Sequence, residues 1–163
     1  MMLLLFTVGE DRFGLEVKHI VEIVPYVTLK RLVGTPDCVT GLFNYRQDVV
    51  PVVDLSRMLA KVPARNNLST RIVLVDYPDS HGKRHIVGLV VEHATETVKL
   101  EPSAFSASGV GVKNSEFVST VAMDEKGMVQ CVELGKLLPK AVCDSLFFSD
   151  ETDMGEVNGV TVQ

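Results

Sequence analysis

A carboxylate inside an apolar run is the first residue whose chemistry needs an account. Glu22 stands among Ile20, Val21, Ile23 and Val24, and a charge in such surroundings is costly unless a cation sits beside it. Four histidines, His19, His81, His85 and His93, raise the question of a metal. His81 and His85 stand in an H-x-x-x-H spacing, but they flank a Gly-containing turn instead of sharing one helix face, and His85 and His93 are too far apart in an extended segment to share an ion unless the chain folds back. Surface or loop histidines are the expectation, and no metal. Serine, threonine and cysteine fare no better as nucleophiles. The sequence has no G-x-S-x-G elbow, no P-loop and no G-x-G-x-x-G, since Gly109-Val110-Gly111 lacks the third glycine. A non-catalytic chain without a cofactor is expected.

The elements that must position Glu22 and its partner centre on one stretch, Gly41-Leu42-Phe43-Asn44-Tyr45-Arg46-Gln47-Asp48-Val49-Val50-Pro51-Val52-Val53-Asp54-Leu55. It reads as a short loop presenting Asn44, Tyr45, Arg46 and Gln47, followed at once by an apolar strand. Val49, Val50, Val52 and Val53 flank Pro51, so the strand is expected to be buried on both faces yet not fully paired on both sides. Asp54 stands where a helix cap belongs, ahead of Leu55-Ser56-Arg57-Met58-Leu59.

Around that stretch the pattern is one of short strands. Met2 to Val8 and Phe13 to Val17 read as a hairpin about Gly9 to Arg12, and Ile20 to Pro25 as a third strand. Thr35 and Pro36 predict a helical turn with Gly41 at its exit. Lys61 to Asn67 is a polar connection. Arg71 to Tyr77 pairs with Arg84 to Glu92, and Ala94 to Leu100 follows almost without a break. Glu101 to Ser115, rich in Ser, Gly and Ala, predicts a long mobile loop. Phe117 to Met123 and Met128 to Val132 form a last hairpin. Leu134, Leu137 and Leu138 mark a short helix that Pro139 limits. About nine short strands with few helices suit a sandwich or a barrel.

Composition narrows the classes further. With 163 residues, 46% hydrophobic and 23% charged, the chain has room for one soluble domain with a proper core. A net charge of -5 disfavours a nucleic-acid binder, although an acidic total can conceal a basic face. The segment from Ser149 to Gln163 carries Asp150, Glu151, Asp153 and Glu156 and no Lys or Arg, which leaves the body at about -1. That segment is expected to be a disordered tail. Cys38, Cys131 and Cys143 form neither a disulfide framework nor a zinc pattern. No apolar run approaches the ~20 residues of a membrane span, and the opening Met1 to Phe6 is too short for a signal core. A cytoplasmic location without membrane insertion is the expectation.

The stretch from Gly41 to Leu55 resembles the signature of CheW-like adaptor domains, N-x-R-G followed by an apolar strand with Pro and then Asp-Leu. Phe13-Gly14-Leu15, Gly34-Thr35-Pro36 and Ile86 to Glu92 extend the likeness over roughly residues 3 to 140. Asn44-Tyr45-Arg46, Leu68 to Val75 and Leu137-Leu138-Pro139 look closest to the adaptors of Wsp-type surface-sensing clusters. The resemblance implies an all-β fold of two five-stranded SH3-like barrels sharing a core. The expected division is 1–66 plus a helix near 134–146 for the first barrel and 68–133 for the second.

It also implies a function and a site. Such a chain would couple a methyl-accepting chemotaxis receptor to a CheA-type histidine kinase at receptor arrays of the inner membrane. Ile20, Glu22, Gly41, Arg46 and Gly88 would form the receptor-binding groove, with Arg46 as the partner of Glu22. Phe117, Val118 and Thr120 would contact the kinase. The Glu22–Arg46 pair could be purely structural or could also shape the receptor contact. Gln47 replaces the usual glycine after the arginine, Thr120 stands where a glycine is common, and Glu133 where Asn or Asp is common. The alternative, a small barrel binding nucleic acid, would need aromatic and basic residues interleaved on one sheet face. The absence of Trp and the negative balance disfavour it.

Overall fold

Two sets of apolar residues alternate along several strands of this chain, and each set meets a different core. The computed structural model describes residues 1–31, 33–79, 81–107 and 117–147. In chain order its strands are β1 (Met2–Val8), β2 (Asp11–Glu16), β3 (Ile20–Pro25), β4 (Val39–Tyr45), β5 (Asp48–Asp54), β6 (Arg71–Pro78), β7 (Arg84–Lys99), β8 (Phe105–Ala107), β9 (Val118–Asp124) and β10 (Gly127–Val132). Helix α1 (Leu55–Ala60) follows β5 and α2 (Lys140–Phe147) ends the described chain.

Leu3 and Leu5 pack with Leu100, Ala122, Val129 and Cys131, whereas Leu4 and Phe6 join a large cluster with Val73, Val75, Tyr77, Val87, Leu89 and Leu137. Ile72 and Leu74 turn the other way, into a third cluster with Tyr45, Val50, Val52 and Val90. Strands covered on both faces lose the apolar/polar alternation of half-exposed sheets and become continuous runs of Leu, Ile and Val. That is why Met2–Val8 and Arg71–Tyr77 are so uniformly apolar.

The strands form two groups sharing β7. In one, the order β3-β6-β7-β5-β4 is antiparallel except for the parallel contact of β5 with β7. Its two ends come back together, since Lys30 and Leu42 exchange backbone hydrogen bonds of 3.2 and 2.7 Å. The other group takes the second half of β7 and continues β1-β2-β10-β9-β8, with β10 parallel to β2. Between the halves of β7 the register against β1 slips, from Thr7 opposite Glu92 to Leu5 opposite Glu96. His93 there takes a left-handed φ of 54°. This grouping departs from a division near residue 67: the N-terminal hairpin pairs with the C-terminal strands, and β6 with β3.

Other expectations are corrected locally. Residues 36–39 make a hydrogen-bonded turn, Val39 N–H to Pro36 carbonyl, in place of a helical turn, and Gly41 lies inside β4. Part of the expected loop after Glu101 is ordered, with a 3-10 turn at Pro102–Ala104 and then β8. The rest, including Gly109-Val110-Gly111, lies outside the described residues, as does the acidic segment from Ser149. Leu134–Lys136 is a 3-10 turn, and Pro139 precedes α2 instead of ending a helix. Proline lacks an amide hydrogen, so it fits the start of a helix, where that donor has no partner.

Candidate functional site

The candidate site is built on the turn between β4 and β5. Tyr45 opposite Asp48 closes a two-residue hairpin, and Arg46 and Gln47 at its tip have φ of 48° and 73°. Two positive φ values are what a tight hairpin needs to follow the strands' twist. Without glycine the conformation costs roughly 1–2 kcal/mol per residue. The loop is shorter than expected, since Asn44 and Tyr45 belong to β4 and Tyr45 is buried. Further along, Pro51 lies opposite Leu42. Counting alternate pairs from the turn makes that a non-hydrogen-bonded position, so the missing amide faces away from β4, one residue before the β7 ladder begins at Val52. At the strand's end Asp54 caps α1 as expected, accepting from the Arg57 amide at 3.2 Å and also from Ala64 N–H at 2.9 Å.

Arg46 and Glu22 meet. Nη2 of Arg46 donates to Oε1 of Glu22 at 3.2 Å, and the guanidinium lies 5.1 Å from the centroid of the Tyr45 ring. The side chains are 74% and 38% exposed. The pair joins β3 to the tip of the β4–β5 hairpin, across the ends of the strand order. Tyr45 is the part that sequence reasoning missed: it is a buried platform for the arginine, contributing a cation–π contact.

The remaining expected groove residues are placed differently. Register carries one line across five strands, from Gly41 to Val52, Gly88, Leu74 and Glu22. Yet Gly41 and Gly88 are buried. A Cβ on Gly88 would stand 3.0 Å from methyls of both Ile72 and Val52, and one on Gly41 would stand 2.7 Å from Leu29 Cβ and the Lys30 carbonyl. Both glycines let strands and core close up. Ile20 is half-buried against the large core, separated from Glu22 by a register shift.

In exchange, apolar residues expected inside are out in solvent. Val21 and Ile23, flanking Glu22, are 46% and 40% exposed, and Val49, just beyond the turn, is 68% exposed. Ile23 lies opposite Val73 and Val49 opposite Asn44, so both turn to the sheet face away from Glu22 and Tyr45. At the expected kinase contact, Val118 is buried and Phe117 packs on the same core, while Thr120 is half-buried opposite Cys131.

Among the described residues the cysteine thiols are not poised for covalent chemistry. Burial pushes the thiols of Cys38, Cys131 and Cys143 up, away from the reactive thiolate. Burial likewise raises the Tyr77 phenol, whose oxygen accepts from the Leu138 amide at 2.8 Å. His85 corrects the expectation of a surface histidine. Its Nε2 lies 2.7 Å from Oδ2 of Asp79, both side chains are 11% exposed, and its ring stacks on Phe147 at 4.1 Å. The His85 hydrogen bond holds the Asp79 carboxyl below its ordinary value. Among the described residues no three His, Cys, Asp or Glu side chains gather as a metal site would require, and no helix is long and apolar enough to cross a membrane.

Comparison with known proteins accounts for this arrangement. Residues 2–142 match the family model of the CheW-like domain. The chain is 29% identical over 97 residues to the chemotaxis protein CheW of Klebsiella aerogenes, a match covering 60% of this chain and 55% of that protein. It thus spans little more than half that relative's length. Identity to the chemotaxis protein CheW of Helicobacter pylori is 25% over 132 residues, covering 74% and 77% of the two chains. In fold it resembles the scaffolding protein TtCheW from Thermoanaerobacter tengcongensis, with a TM-score of 0.73, 22% identity and coverage of 85% and 87%. With the family model spanning nearly all the described strands and the signature turn, the chain belongs to the CheW-like domain family.

Proposed function

We propose that this chain is a non-catalytic adaptor that couples a methyl-accepting chemoreceptor to a CheA-type histidine kinase in the cytoplasm, at receptor arrays of the inner membrane. The observation that carries the reading is the exposed Arg46–Glu22 contact, seated on the buried Tyr45 ring at the hairpin tip. An oriented, solvated charge pair suits reversible protein contact. The receptor contact is assigned to Glu22 and Arg46. The kinase contact is assigned to the β9 region, where Thr120 is half-buried.

The test is co-sedimentation of the kinase with receptor-bearing membranes. The wild-type chain should carry the kinase into the pellet, and Arg46→Glu should lower that recruitment at least about tenfold without changing the circular dichroism spectrum. Undiminished recruitment by the variant would overturn the assignment. The finer reading is a Wsp-type pathway, on the likeness of Asn44-Tyr45-Arg46, Leu68–Val75 and Leu137-Leu138-Pro139 to WspB. Its test is the gene neighbourhood: a receptor, a hybrid kinase and a diguanylate cyclase response regulator support a surface-sensing output, and flagellar chemotaxis genes refute it.

A further inference from the structure

The acidic total of the chain conceals a basic end. Between Asp54 and Asp76 the sequence carries Arg57, Lys61, Arg65 and Arg71 and no carboxylate. Between Glu22 and Asp37 it carries Lys30 and Arg31 and again none. The fold brings the two stretches together. Tyr26 and Leu29 from one and Ala64 from the other pack on the same small core. Pro25 and Tyr26 share a cavity of about 410 Å³ with Asn66, Leu68 and Arg71.

The cations on this end face solvent. Lys30, Arg31, Arg57, Lys61 and Arg65 are all exposed, and among the described residues none of Lys30, Arg31, Arg57 and Lys61 has a carboxylate within ion-pair distance. Arg65 does reach Glu92 at 3.6 Å. That carboxylate is only 6% exposed, however, so its charge is turned inward while Arg65 stays 79% exposed. Leu68 and Val62 on the same connection are 96% and 59% exposed. A neutral mixture of charges is the ordinary composition of a protein surface, and a single-sign face with protruding apolar groups is a departure that points to an anionic counterpart.

We propose that this basic end is the docking surface for the chain's own acidic segment, Asp150 to Glu156. That segment supplies Asp150, Glu151, Asp153 and Glu156, and residues 148–163 contain no cation. It can also reach. Phe147 lies beside Tyr77, with ring centroids 6.2 Å apart, and the course of β6 from Tyr77 back to Arg71 is about 20 Å at the usual rise. Asp153 and Glu156 follow Phe147 by six and nine residues, chain lengths of about 20 and 30 Å. Each exposed pair contributes little alone and is screened by salt, so the docked state is a sum of weak contacts that ionic strength releases.

The test compares the full chain with a full-length variant carrying Asp150→Asn, Glu151→Gln, Asp153→Asn and Glu156→Gln. At low salt, amide exchange over residues 26–31 and 61–68 should be about three- to tenfold faster in the variant, and at ~0.5 M salt the wild type should match it. Exchange in β6 and β7 should be the same in both. Lys30→Glu with Lys61→Glu should reproduce the variant's rates, and combining the two sets should add nothing. Equal exchange in wild type and variant overturns the proposal. So does protection that rises with protein concentration, which would place the segment on a second copy. Protection gained only with a mixed-sequence single-stranded oligonucleotide also overturns it, because the face would then be a nucleic-acid surface.

Discussion

Two arginine–carboxylate pairs tie distant parts of this molecule together under opposite conditions. Arg12 on β2 grips Asp124 at the end of β9 with two parallel hydrogen bonds of 2.8 and 2.6 Å, and the side chains are 20% and 16% exposed. Asp124 also accepts from the Lys126 amide at 2.9 Å, so one carboxylate fixes both the β9–β10 turn and its place against β2. Arg46 and Glu22 share a single contact of 3.2 Å and are far more exposed. The fork in the first pair is geometrically specific and shielded, hence strong. The second is solvated and loosely held, hence weak within the chain and available to something outside it. Identical chemistry thus makes a shielded tie in one place and a solvated, open contact in the other.

Breaking the shielded pair should have the largest effect. Arg12→Ala leaves a partly buried carboxylate without its fork, and urea denaturation should show a loss of about 1–3 kcal/mol. A loss below about 0.5 kcal/mol would place Arg12–Asp124 with the solvated pairs and erase the contrast.

Acid should separate the pairs next. Arg12 holds the Asp124 carboxyl down to about 2, from an ordinary 3.8. A group depressed in the folded state stabilises fully above its unfolded value, and the stabilisation is lost as pH falls through the folded one. Wild-type stability should therefore fall between about pH 4 and pH 2. Asp79, lowered chiefly by His85, adds in the same direction. Asp124→Asn should flatten that acid limb in a pH series of thermal melts.

A smaller effect is expected in a double-mutant cycle on Glu22 and Arg46. Their coupling in unfolding should be only about 0.2–1 kcal/mol, while the same substitutions should weaken the proposed receptor recruitment. Exchanging the charges, Glu22→Arg with Arg46→Glu, should restore the stability more than the recruitment. A coupling of several kcal/mol would make this pair architectural too. The smallest effect is that of salt: raising it to ~1 M should abolish the Glu22–Arg46 coupling and leave most of the Arg12–Asp124 coupling.

Much of this was legible in residue order wherever the interactions are local. Ile20–Pro25, the Asp54 cap and the pairing of Arg71–Tyr77 with the strand from Arg84 follow from apolar runs, turn residues and cap chemistry. Partner choice over long separations was not legible. The parallel contact of Cys131 with Gly14 leaves no trace in either segment, so a division near residue 67 read naturally and the pairing ran otherwise. At the site, apolar side chains on β3 look the same whether a neighbour covers them or not. Val21 and Ile23 are exposed because only β6 pairs with β3 along its length, a fact about the whole fold. Glu22 and Arg46 came together because a carboxylate in an apolar strand needs a cation, and family likeness named which one. Gly41 and Gly88 carried a signal for close approach that fits the packing of backbone and core as readily as the lining of a groove.

The shared strand β7 also sets a timetable. The hairpin of β1 and β2 leaves the ribosome first, yet its two lateral partners are Glu92–Lys99 of β7 and Gly127–Val132 of β10. Until β10 has been synthesised, Leu3 and Leu5 lack most of the residues that bury them. Such long loops must close before their contacts stabilise anything, which slows folding and prolongs the exposure of sticky edges. The chain should therefore fold mostly after synthesis, as one cooperative event, with its first strand among the last to be secured.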